Sequence, residues 1–273
     1  MHSALVGSYE TGPGLERGKG GCVGAGDGIA VWTVDLSAVP ESLWQCLIDL
    51  LDASEAAQAR RFAFEHHRRQ YTAAHGLKRL MLSAASADQV NCRDWRFEIG
   101  AYGKPRVAQR PDLKFNLSHC AGRVACALAR GVELGLDVET LDRHAPMEVA
   151  GCYFAPAELA WLRALPEPER PAGFFQLWTL KEAYIKATGL GLSQPLQDFA
   201  FALDPPRVAF ADPALGDPMA WRFEQRALGP SHLLAVAWKA GGDELPVTVE
   251  RVCLELLLAG AATGASQTAL DAG

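Results

Sequence analysis

The order of predicted secondary-structure elements is repeated along this chain, and that repetition limits the folds open to it. A strand-like segment from Ile29 to Leu36 is followed by three helical patterns between residues 41 and 84 and by shorter strand-like runs. A second series begins with the strand-like segment 131–139, continues with a long helical pattern at 171–188, and ends in further strands. The two series predict an α+β fold, because they are too irregular for a doubly wound parallel sheet.

Glycine-rich segments flank the predicted body. Residues 1–28 and 254–273 lack periodic apolar positions, which predicts flexible tails. Between them, we expect residues 29–130 to form an N-terminal α+β half and residues 131–253 to form a C-terminal half that carries the candidate metal site. No sequence repeat occurs at a fixed spacing, so the similarity of the halves is predicted from the order of the elements alone.

Composition excludes several classes of protein. With 49% hydrophobic and 21% charged residues, the 273-residue chain has ample material for a buried core. The first residues lack a basic segment followed by an apolar one, and the apolar run VCLELLLAGAA is interrupted by Glu255, so we predict neither a secretory signal nor a membrane span. The seven cysteines are scattered and never spaced C-x-x-C, which favours a reducing cytoplasm and argues against a zinc site.

The charge distribution contains one basic segment. A net charge of -6 argues against a general nucleic-acid binder, since phosphate contacts need clustered cations. Residues 60–79, in contrast, carry six lysines and arginines and three histidines against the single acid Glu65. This segment predicts either a solvated helix face or a surface that binds phosphate, and the residues alone leave both open.

Two acids interrupt a strand that should be buried. Asp137 and Glu139, two residues apart, project from the same face of a strand, with Cβ atoms roughly 6 to 7 Å apart. Like charges at that distance repel each other, and a divalent cation between them removes the repulsion. Oxygen ligands of this kind are those that magnesium prefers. The alternative is that the strand ends at Asp137 and that both acids meet solvent.

The helical pattern at 174–186 carries a third acid. Gly189 is placed to end this helix, and Trp178, Glu182 and Ile185 share one of its faces. A carboxylate with apolar neighbours on a rigid helix is suited to bind a metal or to act as a general base. The alternative is an ordinary surface ion pair between Glu182 and Lys186.

A third polar segment combines a turn with a strand end. Gly103, Lys104 and Pro105 predict a turn that offers a cation, and a strand then ends in Ser118 and His119. Adjacent residues on a strand point to opposite faces, so this pair is not a nucleophile with its base. We predict instead that the hydroxyl and the imidazole donate to phosphate oxygens.

The order and spacing of these segments resemble the signature of the Sfp-type 4′-phosphopantetheinyl transferases. That signature consists of a G-K-P turn, an N-x-S-H strand, G-x-D-x-E, and W-x-x-K-E-x-x-x-K. It appears here as GKP at 103–105, NLSH at 116–119, GLDVE at 135–139 and WTLKEAYIK at 178–186. The RRF segment at 60–62 and the GLGLS turn at 189–193 extend the resemblance over residues 30–240.

The resemblance implies a fold, a reaction and a set of partners. The implied fold has two similar halves related by a pseudo-twofold axis, with coenzyme A in the cleft between them. The implied reaction moves the 4′-phosphopantetheine arm of coenzyme A onto a serine of an apo acyl, peptidyl or aryl carrier protein, depends on Mg²⁺ and releases 3′,5′-ADP. Short holo-acyl-carrier-protein synthases have one such half per chain and form trimers, so two halves in this chain imply a monomer.

The resemblance also implies roles for individual residues. Asp137, Glu139 and Glu182 would bind magnesium. Glu182 would also take the proton of the carrier serine, with a metal-bound water as the alternative acceptor, and Lys186 would support the departing 3′,5′-ADP. The other implied contacts with coenzyme A are Lys181, Ser118 and His119 at the phosphates, Lys104 and Pro105 beside the adenine, and Arg61 and Arg69 at the 3′-phosphate, where His66, His67 and Arg68 are also placed to contribute.

Two other functions stay open. One is a non-catalytic paralogue that binds coenzyme A or a carrier protein, although pure binding would not require the complete set of Asp137, Glu139, Glu182 and Lys186. The other is a magnesium phosphohydrolase that acts on nucleotides, which the sequence alone does not exclude.

Overall fold

The computed structural model describes residues 28–87, 89–241 and 245–261. In chain order the strands are β1 (Ile29–Asp35), β2 (Phe97–Ile99), β3 (Pro105–Val107), β4 (Leu113–Cys120), β5 (Arg123–Arg130), β6 (Leu134–Thr140), β7 (Phe199–Leu203), β8 (Pro206–Phe210), β9 (Trp221–Ala227), β10 (His232–Lys239) and β11 (Val247–Arg251). The helices are α1 (Leu43–Leu50), α2 (Ala53–Arg60), α3 (Glu65–Ala85), α4 (Met147–Tyr153), α5 (Pro156–Ala164) and α6 (Arg170–Thr188). The predicted α+β class is confirmed. The calls for residues 1–27 and 262–273 lie outside the described residues.

The two halves have the same topology. In the first sheet β1 pairs antiparallel with β5, and β5 pairs antiparallel with β4. In the second sheet β6 pairs antiparallel with β10, and β10 pairs antiparallel with β9. Each half therefore begins with a strand that pairs with its last antiparallel strand. Each also contains a long helix, α3 or α6, followed by a two-stranded hairpin, β2–β3 or β7–β8.

A buried ion pair recurs at the same place in both halves. Glu55 is the third residue of α2, and its carboxylate contacts Lys78 of α3 at 2.5 Å. Glu158 is the third residue of α5, and its carboxylate contacts Lys181 of α6 at 2.8 Å. Each glutamate also accepts the backbone N–H of the residue that caps its helix, at Asp52 and Ala155. The lysine follows the glutamate by 23 residues in each half, so the halves repeat a packing device that no sequence repeat had revealed.

The layers of the protein follow the alternation of side chains on the strands. Val124 and Cys126 of β5 face the helices of the first half, whereas Ala125 and Ala127 face the second sheet. The other face of the second sheet packs against α6. The order of layers is thus helix, sheet, sheet, helix, and β4 and β6 lie side by side where the two sheets meet.

Two features differ from the predicted division of the chain. β11, which the sequence places in the C-terminal half, pairs parallel with β1 in the first sheet. Residues 254–261 are helical where the sequence predicts a tail, and Leu254 is buried in the core of the first half. In both segments, apolar side chains become buried only when folding brings a distant part of the chain against them, so the local sequence pattern does not reveal their structure.

Among the described residues, no helix combines the length and apolar character needed to cross a bilayer.

Candidate active site

Three predicted site residues meet where β4, β6 and α6 come together. The Asp137 side chain is 6% exposed, and its Oδ1 accepts hydrogen bonds from Lys186 Nζ at 2.6 Å and from Ser118 Oγ at 2.9 Å. Lys186 Nζ also donates to Ser118 Oγ at 3.2 Å. The structure therefore brings the N-x-S-H, G-x-D-x-E and K-E-x-x-x-K segments into one cluster, which we call the seam site.

Gly135 allows α6 to lie directly against β6. A Cβ atom at this position would be 2.0 Å from the carbonyl oxygen of Ala183 and 2.3 Å from the backbone nitrogen of Ala187. Both contacts are with helix backbone, which cannot rotate away as a side chain can. The glycine of G-x-D-x-E thus sets the distance between the strand that carries Asp137 and the helix that carries Lys186.

Glu139 is held on both of its oxygens. Trp178 Nε1 donates to Oε1 at 3.1 Å, and Arg143 donates to Oε2 at 3.0 Å. Desolvation and the neighbouring Asp137 raise the pKa of Glu139 in spite of the Arg143 charge. The sequence indicated Trp178 only as an apolar neighbour of Glu182 and did not identify Arg143.

Glu182 is the least compensated acid of the cluster. None of the described residues donates a hydrogen bond to it, although Lys186 lies near enough to lower its pKa. Desolvation, with the added negative charges of Asp137 and Glu139, raises the pKa of Glu182 to about 6. The pKa values of Glu139 and Glu182 are therefore both raised, and a cation beside them would relieve the repulsion between the negative charges.

The carboxylate oxygens at the seam site are of the chemical type that magnesium prefers, but they do not surround one common position in this structure. Oδ2 of Asp137 is buried and has no hydrogen-bond partner, so a cation contacting it would satisfy an orphaned acceptor. Among the described residues, no group of three or more acidic, histidine or cysteine side chains is arranged to hold a metal as it stands. Oxygen-only donors are nevertheless the set that suits magnesium.

Ser118, a predicted phosphate contact, is engaged by partners within the protein. A hydroxyl has one donor and two acceptor sites, and all three are used, by Asp137, by Lys186 and by the Val138 N–H at 3.2 Å. His119, the next residue, points to the opposite face and is exposed. Loss of solvent around the ring and the charge of Lys186 lower the pKa of His119.

Lys181, the other predicted phosphate contact on α6, is buried in the core. Its side chain is 0% exposed, and Nζ donates to Glu158 and to the carbonyls of Leu196 and Phe199, the latter two both at 2.7 Å. Successive helical residues differ by roughly 100° in direction, so Lys181 points into the core while Glu182 faces the seam site. Lys181 anchors α6 to α5.

Lys181→Met is expected to lower the free energy of unfolding by about 3–5 kcal/mol, because it leaves the buried Glu158 carboxylate without its cation. Urea unfolding measures this. The control Lys239→Met, at an exposed lysine, should change stability by less than about 0.5 kcal/mol. At a temperature where both variants are folded, coenzyme A affinity should stay within a few-fold of wild type. A large loss of affinity would support the predicted phosphate contact of Lys181.

The side chains of the basic segment, residues 60–79, point to different sides of α3. Arg69 is paired with Glu41 at 2.7 Å and with Glu65 at 2.9 Å, and it lies over the ring of Trp44 in α1. The structure therefore does not bring Arg69 to the seam site, and its predicted 3′-phosphate contact stays a prediction. Arg61 is exposed, and among the described residues its side chain has only a 3.3 Å hydrogen bond to the side chain of Gln58.

Two histidines of α3 point away from the side that carries Arg69. His67 and His75 lie two helical turns apart on one face, and their charges contribute to the lowered pKa of His119. Phe62 packs on His67 with ring centroids 6.3 Å apart, which places the Arg61–Phe62 turn beside this face. Arg68 is paired with Glu65, and His66 is exposed.

Lys104 and Pro105 line a cavity of about 430 Å³ between the β2–β3 hairpin and the loop after α6. Nζ of Lys104 donates to Glu133, to the Leu134 carbonyl and to the Ala187 carbonyl, at 3.0–3.1 Å, which uses all three of its protons. Its aliphatic stem packs over Gly189, whose φ of +71° ends α6 as predicted. Lys104 therefore offers its stem to the cavity and has no free ammonium for phosphate.

Comparison with known proteins places this arrangement in a family. The profile of the 4′-phosphopantetheinyl transferase superfamily matches residues 133–237, which include the acids and lysines of α6 and β6. The 4′-phosphopantetheinyl transferase HetI of Nostoc sp. is 37% identical over 183 residues, covering 66% of this chain and 76% of HetI. The chain belongs to the 4′-phosphopantetheinyl transferase superfamily.

Two further relatives agree. The 4′-phosphopantetheinyl transferase Sfp of Bacillus subtilis is 36% identical over 115 residues, which is 42% of this chain and 50% of Sfp. A putative 4′-phosphopantetheinyl transferase of Synechocystis sp. is 28% identical over 216 residues, which is 72% of this chain and 86% of the relative. The resemblance stated from the four motifs is confirmed.

Proposed function

We propose that this protein transfers the 4′-phosphopantetheine arm of coenzyme A to a serine of an apo carrier protein, with Mg²⁺, and releases 3′,5′-ADP. The observation that carries the proposal is the meeting of Asp137, Glu139, Glu182 and Lys186 at the seam site, in a chain that belongs to the transferase superfamily. Phosphoryl transfer requires positioning and charge stabilisation more than covalent work by the protein, and these residues supply both.

Magnesium held by Asp137, Glu139 and Glu182 would supply positive charge for the pyrophosphate of coenzyme A. In the reaction, the serine oxygen forms a bond with the β-phosphorus, and the bond from that phosphorus to the oxygen bridging to the 3′,5′-ADP unit breaks. Glu182 takes the serine proton as the general base. Lys186, fixed by Asp137, neutralises charge on the departing 3′,5′-ADP.

We propose separate positions for the parts of the nucleotide. The cavity beside Lys104 and Pro105 receives the adenine, because it is lined by an aliphatic lysine stem and a proline ring. His119 is exposed next to Lys186 and contacts a phosphate. Arg61, which is exposed and weakly engaged, contacts the 3′-phosphate. We further propose a monomer in the cytoplasm, since two halves in one chain already supply both sides of the seam.

The direct test is to incubate the protein with coenzyme A, Mg²⁺ and several apo carrier domains, and to measure the mass of each carrier. We expect an increase of one phosphopantetheine arm on at least one carrier and release of 3′,5′-ADP. Binding of coenzyme A or carrier without any mass increase would support the non-catalytic paralogue. Cleavage of coenzyme A at its pyrophosphate in the absence of carrier would support the phosphohydrolase.

Asp137→Asn should raise the Mg²⁺ concentration for half-maximal transfer by about tenfold or more, because it removes a buried negative charge next to the orphaned Oδ2 atom. Titration of the transfer rate with Mg²⁺ measures the effect. Asp142→Asn, at an exposed acid just after β6, is the control and should leave the titration unchanged. An unchanged titration for Asp137→Asn would remove Asp137 from the set of metal ligands.

A further inference from the structure

A second cavity, of about 760 Å³, lies where two hairpin turns meet, and we call it the turn cavity. Its walls include the β4–β5 turn (121–122) and the β9–β10 turn (228–231), and Nε2 of His232 lies 3.0 Å from the Ala121 carbonyl oxygen. The ends of β1 and β11 also line it, so both halves of the protein contribute. The three acids and Lys186 of the seam site do not line it. Cavities of this volume hold small organic molecules.

Positive charge prevails in the turn cavity. The charged lining residues are three arginines and two aspartates, namely Arg123, Arg143, Arg251, Asp35 and Asp142. Asp142 is exposed to solvent, which screens its charge, and Arg143 is paired with Glu139 at 3.0 Å. The guanidinium groups of Arg123 and Arg251 are therefore left with the single carboxylate of Asp35.

That carboxylate binds neither guanidinium group closely. Oδ2 of Asp35 lies 3.7 Å from Nη2 of Arg123 and 3.4 Å from Nη2 of Arg251, and Oδ1 accepts hydrogen bonds from Ser37. Charge-assisted hydrogen bonds between nitrogen and oxygen are shorter, at about 2.7–2.9 Å. Both arginines are thus able to bind a second anion.

Arg123 has a buried donor that no acceptor meets. The residue is 9% exposed, and its Nε atom is buried without a hydrogen-bond partner among the described residues. An unsatisfied buried donor is costly, and native proteins leave few of them. A phosphate or carboxylate group accepts Nε and one Nη of a guanidinium together, as a bidentate pair. The orphaned Nε therefore indicates an oxyanion as the ligand.

We propose that the turn cavity binds a small organic molecule that carries a phosphate or carboxylate group, with Arg123 as the bidentate donor and Arg251 as the second cation. Leu228 and Val249 also line the cavity and cover the carbon skeleton of the ligand. Arg123 begins β5 and Arg251 ends β11, so the ligand joins segments that are distant in the chain. The proposal does not depend on the transferase function, which assigns coenzyme A to the seam site and to the cavity beside Lys104.

The test is a nuclear magnetic resonance titration of the metal-free, full-length protein with inorganic phosphate and, separately, with succinate. We expect the Nε–H signal of Arg123 to shift saturably with at least one of them, and the choice between them identifies the anionic group. Arg123→Met, followed at the Gly122 amide, should weaken binding by about tenfold or more, as loss of a buried charged donor does. Arg251→Met, at a half-exposed arginine, should weaken it by about two- to fivefold.

Arg207→Met is the matched control. Arg207 is an exposed arginine of β8 that does not line the cavity, so its replacement should leave the affinity unchanged. If Arg123→Met folds poorly, Arg123→Lys takes its place, because lysine keeps the charge and loses the bidentate fork, and binding should still weaken severalfold.

Thermal unfolding gives a second measurement. A ligand that binds only the folded state raises the unfolding temperature, so the bound anion should stabilise the wild type and Arg207→Met more than chloride does at equal ionic strength. Arg251→Met should gain less, and Arg123→Met should gain least.

Phosphate bound at the seam site is distinguished with Lys186→Met. An Arg123 shift that persists in this variant supports the turn cavity, whereas its loss would show that the anion binds at the seam site and would overturn the proposal. Absence of a saturable Arg123 shift with both anions would overturn it as well. If no carrier is modified by the wild-type protein, the proposed transferase function fails and these binding measurements still decide the anion site.

Discussion

Glu182→Gln is expected to reduce phosphopantetheine transfer by about 10²–10⁴-fold or more, with coenzyme A affinity within about tenfold of wild type. The amide keeps the size of the side chain and cannot accept the serine proton, and general-base catalysis typically contributes a factor of this size. Single-turnover transfer, followed by carrier mass, measures the loss. Glu169→Gln removes an exposed acid near the start of α6 and should leave transfer unchanged.

The same substitution is expected to stabilise the metal-free protein at neutral pH. The pKa of Glu182 rises from 4.5 to about 6 on folding, so the native state binds this proton more tightly than the unfolded state. Stability therefore falls as pH rises from about 4.5 to about 6, by about 2 kcal/mol, and stays lower above that window. Glu182→Gln avoids this loss.

Urea unfolding in the presence of a chelator tests the pH dependence. The variant should exceed wild type in stability at pH 7.5 and match it near pH 4. Near-normal turnover in Glu182→Gln would show that another group accepts the serine proton. Equal stability at both pH values would show that folding does not raise the pKa of Glu182.

Gly135→Ala is expected to cost at least about 3 kcal/mol of stability and most of the activity. Overpacking a side chain into a core typically costs 1–3 kcal/mol, and here the new Cβ would lie 2.0 Å from a helix carbonyl oxygen and must displace α6 from β6. That displacement separates Lys186 from Asp137. Thermal unfolding and the transfer assay measure the two effects.

Gly151→Ala is the matched control. Gly151 lies in α4, is exposed, and a Cβ added there would meet no atom within 4 Å. Alanine is the better helix former, so this variant should be about 0.5–1 kcal/mol more stable with unchanged transfer. A Gly135→Ala protein with wild-type stability would mean that α6 and β6 are further apart than described.

The sequence predicted the members of the site better than their contacts. Asp137 and Glu139 were placed on one face of a strand by its twofold period, and both do reach α6. Gly189 was recognised as the end of α6 from its position after the helical pattern. These are local properties of the chain, which short-range patterns describe well.

Contacts that depend on distant partners were not predictable in this way. Lys181 sits in the signature beside Glu182 and was assigned to phosphate, but its burial depends on Glu158 and on the carbonyls of Leu196 and Phe199. Ser118 was likewise assigned by its hydroxyl, whereas its partners come from β6 and α6. The equal spacing of Glu55 to Lys78 and Glu158 to Lys181 was the sequence signal that could have exposed the structural lysine.

β11 also imposes an order on synthesis. Val247–Arg251 pairs with β1, which lies at the start of the described chain. The ribosome therefore synthesises strands β1 to β10 before β11, the strand that covers this edge of β1. In that interval β1 presents unpaired N–H and C=O groups, the template on which other chains aggregate. A chain that ends before residue 247 is thus expected to expose an edge of β1 that the finished protein covers itself.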